Sequence, residues 1–405
     1  MPPAPSSRST ATDVPASEGN LIDWWIGCRP VASAVVDGRY CLDMSDWHFL
    51  VDRDDYRATS VVEFAPASLN EGEVRLRVDA FGFTANNITY AAAGDMIGYW
   101  TFFPAPDASD DVNWGRVPVW GFADVVESRC EGVSEGERLF GYLPMSTELV
   151  IQPSNISSGS LTDRAPHRSA LPMVYNNYER CSGTPGYRAD LEAEQTLYRP
   201  LFFTSFLIDD FLADNEFFGA STVVLGSASS KTAFGTAHLL RGREDLRVVG
   251  LTSPDNVSFV EGLGCYDEIV DYDDIASLPS GPAVFVDMSG DAAVVRAVHE
   301  HFGDELTHSA MVGITHWENR LGSLDPMPGP AQTMFFAPSQ IEKRRGEWGP
   351  GVIEAKLGAA WGPFVEQVSG WIEIEHGSGV DAVGEVYVDV LENRTRPDTA
   401  HVLHP

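Results

Sequence analysis

Between residues 221 and 314 short apolar runs alternate with helical stretches, and this alternation constrains the fold more than any other feature. The runs Ser221–Leu225, Arg247–Leu251, Glu268–Val270, Ala283–Val286 and Ala310–Ile314 have strand length and are rich in Val. Between them, Lys231–Leu240, Val257–Leu263 and Ala292–His301 carry apolar residues at helical spacing. Parallel strands cannot be joined by tight turns, so each crossover needs a helix, and strands covered on both faces lose polar alternation. The stretch therefore predicts an α/β fold with a doubly wound parallel sheet.

The flanks read differently. From Arg57 to Pro153 the segments Val61–Phe64, Glu73–Val78, Val117–Val126 and Gly136–Tyr142 look like strands. A loop rich in aromatics (Tyr99, Trp100, Phe102, Phe103, Trp114) interrupts them, so this part reads as an all-β unit with irregular loops. Residues 191–215 have helical spacing, and the C-terminus predicts a helix over Val380–Leu391 and a strand near His401–Leu403. Met1 to Asn20, rich in Ser, Thr, Ala and Pro, reads as a disordered tail; it has no apolar core of a secretory signal.

Charge removes whole classes of partner. Lysine and arginine number 27 against 59 acids, so 27 − 59 = −32, and the longest basic cluster is Lys343-Arg344-Arg345. Nucleic acid and anionic membranes would be repelled. No run approaches the ~18 apolar residues a membrane helix requires. The five cysteines (Cys28, Cys41, Cys130, Cys181, Cys265) are odd in number and never form C-x-x-C. That pattern predicts reduced thiols in a cytoplasmic protein, with no disulfide framework or zinc ribbon. A small molecule is the expected partner.

The loop Gly226-Ser227-Ala228-Ser229-Ser230-Lys231-Thr232-Ala233 follows a strand and opens a helix, where free N–H groups and the helix dipole favour an anion. The G-x-G-x-x-G fingerprint is broken, since serines and a threonine replace glycines that allow close backbone approach. Lys231 is one of only three lysines, and a cation at a helix start is unfavourable unless an anion sits nearby. The alternative is that the serines cap the helix while Lys231 points to solvent. At the end of the second strand, Thr252 and Ser253 stand where an NAD site carries an acid for the ribose, which favours NADP; Asp255, three residues on, keeps NAD open. His299 and His301 are two apart on a helix and diverge by about 200°, so with His308 and His316 they read as a solvated helix end and not as a metal site. No G-x-S-x-G elbow and no Tyr-x-x-x-Lys pair is present.

Specific segments resemble the medium-chain dehydrogenase/reductase superfamily. "VSEGERLFG" (Val133–Gly141) is similar to a strand–turn–strand of its GroES-like domain, and Thr204-Ser205-Phe206 to the helix ahead of its cofactor domain. "VVLGSASS", "RVVGLTS", "AVFVDMSG" and "SAMVGITH" resemble successive strands of its quinone-reductase branch. More narrowly, "FTANNITYAAAGD", "WGRVPVWGFADVV" and "SASSKTA" look like a DUF2855-type group. The resemblance implies a GroES-like β-rich domain from 21–199 and 326–405 and a Rossmann domain from 200–325. It implies NADP(H) held by Thr204, Gly226, Ser227, Ser229, Ser230, Lys231, Thr232, Thr252 and Ser253. Zinc is not expected, because Trp120–Asp124 has neither His nor Cys where zinc enzymes of this superfamily carry ligands. Tyr90 is the first candidate proton donor, with Asn86 and Asn87 orienting a carbonyl and Tyr99 as second donor; the alternative is a tyrosine that merely packs. Tyr175-Asn176-Asn177-Tyr178 would form a substrate wall, inside a long insertion, His167–Tyr198, able to close over the crevice. A homodimer through Met334-Phe335-Phe336 completes the expectation. The function implied is a zinc-independent, NADPH-dependent reduction of a carbonyl or activated alkene. The degraded glycine motif keeps a nucleotide-independent enzyme or ligand-binding protein as the alternative.

Overall fold

The computed structural model describes residues 46–106, 112–169, 171–184, 187–312 and 326–405. The expected tail at Met1–Asn20, Cys28, Cys41, the strand end at Gly313–Ile314, and His316 lie outside the described residues.

Six parallel strands form the doubly wound sheet, in the order Glu268–Asp271, Arg247–Thr252, Thr222–Leu225, Ala283–Asp287, Leu306–Met311, Thr333–Met334. Numbered along the chain this is 3-2-1-4-5-6, the order of a dinucleotide-binding fold. Side chains alternate across it as a strand requires: Val223, Leu225 and Val248 enter one buried cluster, Val224, Val249 and Leu251 the other. Each such fully buried side chain contributes roughly 1.5–3 kcal/mol. The strand expected at 310–314 starts earlier, at Leu306, because the half-buried Thr307 and His308 interrupt its apolar pattern.

Among the described residues the β-rich body holds a nine-stranded sheet and a three-stranded one, the latter formed by Asp46–Asp52 between Thr59–Phe64 and Trp114–Gly115. The central pairs of the larger sheet are Val74–Phe83 with Pro118–Ser128 and Pro118–Ser128 with Arg138–Pro144, all antiparallel. The C-terminal strand Thr399–His404 returns to pair with Phe81–Phe83, and Glu373–Ser378 lies beside it. Gly121 is required here: a Cβ would stand 2.1 Å from the Ala80 carbonyl oxygen.

Three expectations are corrected. The stretch read as all-β contains a helix, Ala85–Ala92, because Thr84 caps it and Asn87 answers the cap. The polypeptide between the sixth strand and the return is helical, Ala337–Trp348 and Val352–Val368. Leu357, Phe364, Val365 and Val368 of the second helix pack with Phe234 and Ala237 beneath the parallel sheet, so the expected boundary at 325/326 falls before the sixth strand, well ahead of the return. His299 is not solvated: it is fully buried, with Nδ1 2.9 Å from the Pro328 carbonyl and Nε2 3.0 Å from the Ser309 hydroxyl. The apolar face of Ala292–Phe302 turns that histidine inward.

Candidate functional site

The parallel strands end at a crevice of about 630 Å³, the size of a small-molecule site. It opens where the strand order reverses, beside Thr222–Leu225 and Ala283–Asp287, the position at which such sheets bind ligands.

One wall is the loop between the first strand and helix Lys231–Leu240. Ser227 has φ 53°, the left-handed region that favours glycine. Its N–H donates to the Tyr272 hydroxyl at 3.1 Å, a partner far away in sequence. The Ser230 hydroxyl caps the helix by accepting from Ala233 N at 3.3 Å, as the capping alternative holds. Ser229 accepts from the Asn256 amide at 3.2 Å, which ties the loop to the end of the second strand. The N–H groups of Lys231 and Thr232 lie in the first turn, where the helix offers them no acceptor.

Lys231 does not run out to solvent. It is half-buried, and its Nζ is 3.4 Å from the Thr399 carbonyl on the returning strand. It forms no ion pair with a carboxylate among the described residues, and burial lowers its ammonium to about 8. An unpaired cation in a crevice at a helix N-terminus is built to receive an anion. Arg396, from the return, lines the same crevice and donates to the Thr399 hydroxyl at 3.1 Å.

The opposite wall is aromatic. Tyr90 and Tyr99 meet at a 44° tilt, 4.6 Å between ring centres, and Tyr99 and Tyr175 share a hydroxyl hydrogen bond of 3.0 Å. Trp120 Nε1 donates to the Tyr90 oxygen at 3.2 Å, and Asn86 lines the crevice one helical turn before Tyr90. Burial raises the Tyr90 hydroxyl far above the ordinary tyrosine value, so it carries its proton at neutral pH. An oxygen that already receives a hydrogen bond keeps its own hydrogen to give away.

Of the expected residues, Asn86, Tyr90, Tyr99, Thr204, Ser227, Ser229, Ser230, Lys231, Thr232, Thr252 and Ser253 all line this one crevice. Two do not. Asn87 spends its amide on the Thr84 N–H at 2.8 Å and the Pro118 carbonyl at 2.9 Å. Gly226 sits behind the loop, where a Cβ would come within 3.3 Å of Asp287 and the Phe285 ring. From the expected substrate wall only Tyr175 reaches the crevice; Asn176 and Tyr178 point into the protein and bind Arg168. Sequence reasoning missed Tyr272, Arg396 and Arg168, which arrive from distant segments. Among the described residues no group of three or more His, Cys, Asp or Glu is placed to hold a metal, and no helix is long and apolar enough to cross a membrane.

A 3-2-1-4-5-6 parallel sheet, a β-rich body completed by the C-terminal return, and a ligand crevice between them define the medium-chain dehydrogenase/reductase fold. Within that fold the chain belongs to the family described as "Protein of unknown function (DUF2855)", which it matches over residues 81–396. No curated protein matches it in sequence. Solved structures do match in fold. CurA from Vibrio vulnificus aligns over 89% of this chain and 98% of its own, at 12% identity and a TM-score of 0.58. CurA from Vibrio vulnificus in complex with NADPH aligns over 85% and 94%, at 13% identity and a TM-score of 0.55. The yhdH oxidoreductase from Salmonella enterica in complex with NADP aligns over 89% and 99%, at 12% identity and a TM-score of 0.51.

Proposed function

We propose that this chain is an NADPH-dependent oxidoreductase that reduces a carbonyl or activated alkene of a small molecule without zinc. The observation that carries the reading is Lys231: a half-buried ammonium with no carboxylate partner among the described residues, beside serine hydroxyls and first-turn N–H groups. Those groups fit a nucleotide diphosphate. Thr252 and Ser253 end the second strand in hydroxyls that suit a 2′-phosphate, while Asp255, on the turn that follows, also lines the crevice and is the carboxylate a bare ribose would use. Two structures that share the fold hold NADPH and NADP, in line with this choice.

Reduced nucleotide, when bound, would supply a hydride, which carries the two electrons of the reduction. The chain supplies the rest. Lys231 and the loop hold the phosphates, the aromatic wall excludes water, and Tyr90 gives a proton to the substrate atom that gains charge. Of the two asparagines expected to orient a carbonyl, Asn86 lines the crevice and takes that role, whereas Asn87 spends its side chain on the helix cap and the Pro118 carbonyl. A homodimer would use the sheet edge at Thr333–Met334, where Met334 is 47% exposed.

One observation favours the nucleotide-independent alternative: the Ser227 N–H, which would face a phosphate, is already taken by Tyr272. Calorimetric titration with NADPH and with NADH separates the two readings. Micromolar NADPH binding, tighter than NADH, is expected; no heat with either nucleotide at millimolar concentration would leave the alternative standing.

A further inference from the structure

We infer that residues 163–178, Ala170 aside, form the specificity element of this crevice and admit uncharged substrates, with Arg168 as the positioning residue that presents Tyr175. The inference rests on the oxidoreductase reading above and names what that site accepts.

Arg168 and Asp163 are both 1% exposed and pair at 2.9 Å. Three further donors of the guanidinium fork are spent within the same segment. Nε donates to Asn176 at 2.9 Å, Nη1 to the Tyr178 hydroxyl at 3.1 Å, and Nη2 to the Tyr175 carbonyl at 2.7 Å. Its plane lies 4.9 Å from the Phe103 ring and 5.5 Å from Phe102. Tyr178 passes the restraint on, donating to the Tyr142 carbonyl at 2.7 Å. A planar fork with fixed donors sets geometry in a way a lysine cannot. What it fixes is the backbone of Tyr175, whose ring packs on Tyr142 at 4.9 Å and Phe102 at 5.2 Å and whose hydroxyl meets Tyr99.

The wall so built carries no charge. On its aromatic side the crevice is lined by Thr84, Asn86, Tyr90, Met96, Tyr99 and Tyr175, none of them charged. The cations Lys231 and Arg396 stand instead by the Thr399 strand, at the phosphate loop. In a chain of net charge −32, a carboxylate or a coenzyme A thioester would find repulsion outside and no counter-charge on this wall. A flat, neutral group finds tyrosine rings and a hydroxyl pair that can offer one donor.

The test uses the full chain with saturating NADPH and two conjugated alkenes, 4-phenyl-3-buten-2-one and crotonyl-coenzyme A. The neutral enone should win in kcat/KM by roughly 10²-fold or more. Tyr175→Ala should raise KM for the enone about tenfold, leaving kcat and NADPH affinity unchanged. Arg168→Lys should raise KM in the same way although its charge is kept. Calorimetry with 4-phenyl-2-butanone, a non-reacting product analogue, should show both variants binding more weakly than wild type. Should Arg168→Lys fail to fold, Tyr175→Ala decides alone, with Tyr175→Phe expected to keep most of the affinity. Equal or reversed preference, an unchanged KM in Tyr175→Ala, or NADPH binding without turnover of the enone or binding of its analogue would overturn the inference. Absence of NADPH binding would instead remove the oxidoreductase reading, and the analogue titration would then judge the wall by itself.

Discussion

The two walls of the crevice solve opposite problems. On the aromatic wall the hydroxyls that face the crevice are partnered, Tyr90 by Trp120 and Tyr99 by Tyr175, while the Tyr142 hydroxyl behind them has no partner among the described residues. On the loop wall the serines are partnered, but Lys231 holds only a single long contact to a carbonyl and Ser227 is strained at φ 53°. A wall completed by itself keeps its shape when empty, whereas an incomplete one gains most when a ligand arrives. Shape selection therefore belongs to the first and binding energy to the second.

The contrast breaks most sharply at Tyr90. Tyr90→Phe keeps the ring and removes the proton, so kcat should fall by about 10²–10⁴-fold. NADPH affinity and melting temperature should move little. Full turnover in purified Tyr90→Phe would transfer the donor role to Tyr99 or a water.

Lys231→Ala tests the other wall. Loss of a charge-assisted contact should weaken NADPH by about 1.5–3 kcal/mol, with the fold intact by circular dichroism. A pH series sharpens this. With its ammonium lowered to about 8, the free protein carries the charge below that pH and loses it above. NADPH affinity should be flat up to about pH 7.5 and then fall by up to about tenfold per unit. The stability linkage has the opposite sign: a depressed lysine penalises the folded state below pH 8, and the penalty fades between 8 and the ordinary 10.5. Both trends should vanish in Lys231→Ala, and a pH profile that survives the substitution belongs to another group.

The smallest effect concerns strain. Ser227→Gly relieves a left-handed serine and should stabilise the chain by a few tenths to about 1 kcal/mol in urea melts. Destabilisation would mean that the serine hydroxyl holds the loop more firmly than its φ strains it.

The sequence made the loop wall far more legible than the aromatic one. Its strands are continuous Val-rich runs and Lys231 is conspicuous by scarcity, so periodicity and composition both pointed there. The helix Ala85–Ala92 hid because Asn, Ile, Thr and Tyr are indifferent helix formers, and the Thr84–Asn87 cap and the packing of Ile88 decide it. The helix Val352–Val368 hid behind Gly358, Gly362 and Pro363, which propensity reads as breaks. Arg168 gave no local sign: an arginine in a polar loop is ordinarily exposed, and its partners Asp163, Asn176 and Tyr178 are legible only as letters until the fold closes around them.

The lowered ammonium of Lys231 also sets its reactivity toward electrophiles. An amine attacks only when unprotonated, and near pH 8 about half of Lys231 is in that form while ordinary lysines stay charged. The chain has just two others, Lys343 and Lys356. Lys343 pairs with Asp214 and Lys356 lies over the Trp348 ring. A limiting dose of acylating reagent is therefore a footprint written largely on one side chain, and bound nucleotide phosphate would erase it by restoring the proton and covering the nitrogen.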